Sequence, residues 1–160
     1  MKYALVYGLI SGIVLGALFL AIILFAQGTM FASIWFGYLV MLIALTFVFV
    51  GMKRYRDIER GGVIKFLPAL ALGLATALVA AIIYVLVWEV YLAATHYAFI
   101  DLYFPAGAGP EVDAMRASYS QPLNRIWQTF QEIAPAGLVV ALVSAGLLRD
   151  PRVFPARPRR

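Results

Sequence analysis

From Leu67 to Tyr91 the chain carries one charged side chain, Glu89, in a run that is otherwise almost wholly apolar. The run exceeds the ~20 residues a helix needs to cross the hydrocarbon core of a bilayer. A charged side chain at the middle of such a helix costs roughly 2.5–3.5 kcal/mol on insertion scales. Few structures are open to a segment of this kind. Its length and unbroken apolar character read as a helix, which satisfies every backbone group within the element. Glu89 must be neutral, paired, or near enough to the headgroups to stay wet.

Three further apolar runs accompany it, giving predicted spans at about 3–26, 33–51, 67–93 and 124–148. With 64% hydrophobic and 13% charged residues and a mean hydropathy of +0.90, no single core could hide this much apolar surface. Lipid has to serve as the second solvent. The first run is too long for the apolar region of a secretory signal, and Gln27-Gly28-Thr29 is a poor cleavage site. There is no cysteine, which removes disulfides, thiolate metal sites and thiol nucleophiles together.

Charge sets the expected topology. Of the 13 lysines and arginines, all but Arg116 and Arg125 fall at Lys2, in the segment from Met52 to Phe66, or in the tail 149–160. The positive-inside rule assigns all three to the cytoplasmic side, so both termini lie inside. Gln27 to Met30 and Thr95 to Gln121 then lie outside. Lys53, Arg54, Arg56, Arg60 and Lys65 form a basic cluster explained by topology, with anionic lipid or an acidic partner face as its functional option. The basic tail is expected to be disordered or to lie on headgroups, and a nucleic-acid partner is not expected.

Small residues recur at four-residue intervals on three of the four spans. They are Gly8, Gly12 and Gly16 on the first, Gly73 and Ala77 with Ala69 and Ala81 on the third, and Gly137, Ala141 and Ala145 on the fourth. Such faces let helix backbones approach closely where lipid supplies no hydrophobic drive. They predict the seam of the bundle and leave the second span more peripheral. Between spans three and four, Pro105 to Pro110 must turn. Pro110 with Glu111 and Asp113 then reads as the start of a short interfacial helix. Pro135 falls inside the fourth span and should kink or loosen it. The predicted fold is thus an all-α integral membrane four-helix bundle, N-in and C-in, with that short helix between spans 3 and 4.

Several pieces, taken in order, resemble one family. They are Gly37-Tyr38 with Met41-Leu42-Ile43-Ala44, Gly51-Met52-Lys53-Arg54-Tyr55-Arg56-Asp57 and Gly61-Gly62-Val63-Ile64-Lys65-Phe66. Trp88-Glu89-Val90-Tyr91 and Glu132-Ile133-Ala134-Pro135-Ala136-Gly137 with Ser144 complete the set. The chain resembles the bacterial membrane-protein family catalogued as domain of unknown function 4199, over nearly its whole length. The segment outside the membrane departs from the family pattern, being shorter and richer in Gly and Pro. The resemblance implies a four-helix bacterial membrane protein and brings no activity with it.

Chemistry has few candidates. Glu89 near the outer end of the third span and Glu132 inside the fourth are expected at similar depth, which would place two carboxylates in one polar site. Two close carboxylates cannot both ionise cheaply, so a proton or cation would sit between them. Trp88, Tyr91, Gln128 and His96 are the expected neighbours, with Arg125 at the rim; alternatively these groups merely cap each acid. The seven residues separating Glu89 from His96 amount to about 10 Å of helical rise, too far for a shared metal ion. No metal site, cofactor or catalytic residue is expected. The primary expectation is an accessory or scaffold protein working through helix contacts, with membrane lipids and either its own copies or a hetero-partner as company. The alternatives are a small oligomeric carrier using Glu89 and Glu132 for proton or cation coupling, and a membrane enzyme acting on a lipid-linked substrate.

Overall fold

A computed structural model describes residues 1–25 and 34–156. The turn from Gln27 to Met30, the start of the second span at Ser33, and Arg157, Arg159 and Arg160 lie outside the described residues. Six helices follow in order: α1 (Lys2–Phe25), α2 (Ile34–Glu59), α3 (Phe66–Ala94), α4 (Ala98–Tyr103), α5 (Pro110–Ser120) and α6 (Pro122–Leu148). Helices α1, α2, α3 and α6 are long and apolar enough to span a membrane and pack as one bundle. Their outward faces carry the exposed Leu, Ile, Val and aromatic side chains of a lipid-facing surface, such as Leu9, Ile13, Leu42, Ile82, Leu86 and Val143.

Around the bundle the order is α1, α3, α6, α2, with α2 and α3 also touching across the middle. The glycine faces explain the closest contacts. A Cβ placed on Gly8 would lie 2.7 Å from the Thr76 carbonyl oxygen, and one on Gly12 would lie 2.6 Å from that of Ala80. The parallel pair α1 and α3 therefore meets backbone to backbone, in the manner of small-residue membrane interfaces. On the other side of α3, a Cβ on Gly73 would meet the Ala141 Cβ at 3.1 Å, and one on Gly137 would meet the Ala77 Cβ at 3.1 Å. These two contacts set the antiparallel register of α3 and α6.

The second span is not peripheral. Val40, Met41, Ala44, Leu45, Val48 and Met52 of α2 are all buried, and they supply much of the core's bulk. Ser11 on α1 donates to the Ala44 carbonyl at 2.8 Å. Small faces bring backbones together, but the volume left at the centre still needs large side chains. A helix without a small-residue stripe fills it.

At the basic end, α2 runs on to Glu59, well past Met52 where the second connecting loop was expected to begin. The turn closes through Gly61 and Gly62, both at positive φ, with the Gly62 N–H on the Arg56 carbonyl at 2.9 Å. Arg56 is fully buried. Its Nη1 donates to Val153 O at 3.0 Å and to Leu148 O at 3.5 Å, its Nη2 to Phe154 O, and its Nε to Asp57 at 2.8 Å. It thus satisfies a carbonyl at the end of α6 and ties down the chain beyond. The described part of the tail accordingly folds back, with the Phe154 ring edge-on to Phe49 at 5.4 Å. Both described termini and the 60–65 turn share this end, as the charge pattern predicts.

Pro135 sits inside α6, which continues through it to Leu148.

Candidate polar site at the distal end

At the end remote from the basic turn, α3 stops because the backbone turns left-handed. Thr95 Oγ1 donates to the Tyr91 carbonyl at 2.9 Å, and the Tyr97 N–H reaches the Leu92 carbonyl at 2.8 Å. His96 and Tyr97 then take φ values of 51° and 60°. For two consecutive non-glycine residues this is sparsely populated backbone. It throws the chain sideways into α4. His96 is exposed in this turn, so the face it was expected to share with Glu89 ends before it. Gly107 and Gly109, also at positive φ, turn the chain again, and Asp113 Oδ1 accepts from the Gly107 N–H at 2.9 Å. Pro110 occupies the first turn of α5, where its missing N–H costs nothing.

Two arginines assemble this end. Arg116 on α5 donates to Phe104 O at 2.7 Å and to Ile100 O at 3.5 Å, and pairs with Asp101 at 2.5 Å. It caps the open carbonyls of α4 and holds the two short helices together. Arg125 on α6 pairs side-on with Glu89 on α3. Its Nε donates to Oε1 at 2.8 Å and its Nη2 to Oε2 at 2.6 Å, while Nη1 reaches the Tyr119 carbonyl at 3.1 Å. The Arg125 guanidinium carbon lies 5.2 Å from the centre of the Tyr97 ring. One side chain, 2% exposed, thereby joins α3, α5, α6 and the turn after α3.

Glu89 therefore has its partner, and it is Arg125, in the capping arrangement that stood as the alternative to a shared acid site. The spacing explains why. Ala77 faces Gly137, and twelve residues on along α3 and twelve back along α6 the same antiparallel register brings Glu89 to Arg125. Glu132 does not share this level. It stands seven residues beyond Arg125, about 10 Å of rise deeper, and faces outward from the bundle. Among the described residues it has no hydrogen bond or ion pair with a protein group. The expected acid pair is thus replaced by an acid–arginine pair and a separate outward-facing acid.

The other expected neighbours divide between the two ends of Tyr119. Trp88 is buried, donates through Nε1 to the Tyr119 hydroxyl at 2.7 Å, and packs on Tyr91 and Phe99. Gln128 reaches Ser118 at 3.0 Å and not an acid. Tyr119 itself escaped sequence reasoning, because nothing local marks a tyrosine that will meet a tryptophan on another helix. Burial pushes its hydroxyl up to about 12, outweighing the opposing effect of the Trp88 hydrogen bond. It stays a neutral acceptor at any physiological pH. At the basic end, Lys53 pairs with Asp57, Arg54 with the Tyr7 hydroxyl and Arg60 with the Tyr55 hydroxyl. With Arg56 turned inward, the expected headgroup patch keeps Arg54, Arg60 and Lys65 at its surface. Among the described residues no group of three or more potential metal ligands converges.

Four spanning helices with a part-buried ion pair clamping the distal end define a multi-pass helical membrane protein. The particular family is equally plain: the chain belongs to the one described as Protein of unknown function (DUF4199), whose model matches residues 6–150. No curated protein and no solved structure matches the chain.

Proposed function

We propose that this protein is an accessory or scaffold component of the bacterial inner membrane that works through helix contacts with further copies of itself or with a hetero-partner. The observation that carries this reading is Glu132. It lies in the interior of a spanning helix, is exposed on the surface of the bundle, and makes no hydrogen bond or ion pair within the described chain. An outward acid at that depth is costly unless another group, a proton or water offsets it. A polar group on a neighbouring helix is the compensation a scaffold supplies. Glu89 offers no competing chemistry, since both its oxygens are taken by Arg125. The cavity next to this ion pair is lined by neither Glu89 nor Glu132. The concentration of basic residues at one end supports a cytoplasmic position for both termini.

The native chain lacks cysteine, so Gln131→Cys supplies a single thiol beside Glu132. Bifunctional thiol cross-linking in native membranes should trap a dimer or an adduct with another membrane protein, and Glu132→Leu should reduce the yield. A chain that stays monomeric in the bilayer, with proton flux into liposomes abolished by Glu132→Gln, would replace the scaffold with the carrier.

A further inference from the structure

A cavity of about 320 Å³ opens at the distal end among α4, α5 and the first turn of α6, walled by Tyr97, Asp101, Arg116, Ser120, Pro122 and Arg125. Its size falls at the low end of the range for small-molecule sites. What distinguishes it is the supply of donors. A guanidinium has five N–H groups. Arg125 uses three of them, on the two Glu89 oxygens and the Tyr119 carbonyl. Arg116 also uses three, on Ile100, Phe104 and Asp101. Each keeps two N–H groups without a partner among the described residues. Arg125, 2% exposed, forms the floor of the cavity, whereas Arg116, 30% exposed, presents the donors that a ligand can reach. Pro122 adds the positive end of the long α6 dipole.

The wall is not purely cationic. Asp101 is 71% exposed and gives one oxygen to Arg116, leaving the other as an acceptor. Two guanidiniums and one free carboxylate oxygen in one concavity match a phosphate carrying a neighbouring primary ammonium. The reachable N–H groups of Arg116 take the phosphate oxygens by charge-assisted hydrogen bonds, with Arg125 beneath them. The Asp101 oxygen takes the ammonium, which a quaternary amine could not satisfy with a hydrogen bond. Leu102 and Tyr103 on α4 and Leu123 and Trp127 on α6 are exposed at the same end, where an aromatic and apolar rim suits the membrane surface.

We infer that this cavity is a binding site for a phosphoethanolamine group, presented by a membrane lipid at the distal interface. The inference is independent of the scaffold reading, because it concerns neither Glu132 nor any contact between copies. It is tested by native mass spectrometry of the full chain from mixed micelles holding equal amounts of phosphatidylethanolamine, phosphatidylglycerol and phosphatidylcholine. Phosphatidylethanolamine should be retained in preference to both others. Arg116→Gln should weaken retention about tenfold, the effect of losing one charge-assisted contact. Asp101→Asn should abolish the preference over phosphatidylcholine while phosphate binding persists. Ser120→Leu, which breaks no ion pair and fills the cavity, should weaken retention with thermal stability unchanged, so that a folding defect cannot mimic the result. Competition by soluble glycerophosphoethanolamine would assign the site to the headgroup alone, and its failure to compete would assign it to the intact lipid. A preference for phosphatidylglycerol, or retention unaffected by all three substitutions, overturns the inference.

Discussion

Glu89 on α3 and Arg125 on α6 meet through two parallel hydrogen bonds of 2.8 and 2.6 Å, in the register that Ala77 and Gly137 set deeper in the bundle. The ion pair and the small-residue seam are consequences of one helix alignment. Close approach of the backbones fixes the alignment, and the charges occupy the first level where the seam opens toward the headgroups. Glu89→Ala leaves the buried Arg125 charge behind and should cost about 3–5 kcal/mol, whereas Arg125→Ala leaves Glu89 at 23% exposure and should cost less. The double replacement Glu89→Gln with Arg125→Gln should cost less than the two single changes summed, as read by thermal unfolding in detergent. Glu89→Gln with Glu132→Gln should instead be close to additive, because Glu132 makes no hydrogen bond or ion pair with Glu89 or Arg125.

The glycine face of α1 should tolerate no added methyl. A Cβ on Gly12 would sit 2.6 Å from both the Ala80 carbonyl oxygen and the Ile83 Cβ, and backbone cannot step aside. Gly12→Ala should destabilise the bundle by about 1–3 kcal/mol. Gly146→Ala on α6 meets nothing within 4 Å, so it should be neutral or stabilising by up to about 1 kcal/mol through helix propensity alone. Opposite signs for the same chemical change, measured by detergent unfolding, are the expected result.

Arg56 should prove structural. Arg56→Met would strand the carbonyls of Leu148, Val153 and Phe154 and leave Asp57 with Lys53 alone. A cost of about 3–5 kcal/mol is expected. Arg56→Lys should recover little, since one ammonium cannot reach three carbonyls on two sides. A thiol placed at Val153 should become more reactive in both variants as the tail lifts.

Topology can be read by thiol labelling of single-cysteine variants. Positions 63 and 152, both exposed at the basic end, should label only from the cytoplasmic side, and positions 106 and 123 only from the other. Position 56 is unsuitable as a reporter, being fully buried.

Alkaline pH should loosen the distal end. The Tyr119 hydroxyl is pushed up to about 12 in the folded chain, against an ordinary value near 10. Its contribution is complete below about pH 10 and is lost as pH rises toward 12, because the unfolded chain releases that proton first. Tyr119→Phe should flatten stability over this window, while losing the Trp88 hydrogen bond at all pH values.

Much of this protein was legible in the residues taken one after another. The four spans, the shared end of both termini and the interfacial helix starting at Pro110 all follow from local run length, charge and turn chemistry. Gly8, Gly12 and Gly16 announced a close-packed face because a four-residue period needs no knowledge of the partner. What the sequence could not say is which groups meet across helices. Glu132 and Arg125 were both within reach of Glu89 as long as the start and register of α6 were unknown, and a shift of seven residues separates the two answers. That register is set by the Gly73–Ala141 and Ala77–Gly137 approaches, which exist only once the two helices are packed. The inward turn of Arg56 has the same origin, since the carbonyls it serves at Leu148, Val153 and Phe154 lie more than ninety residues away in sequence. The place of α2 was likewise decided by volume, a property of the assembled bundle that no single helix carries. Periodicity and charge act along the chain and can be read from it; pairing and filling act between helices, and only the tertiary structure settles them.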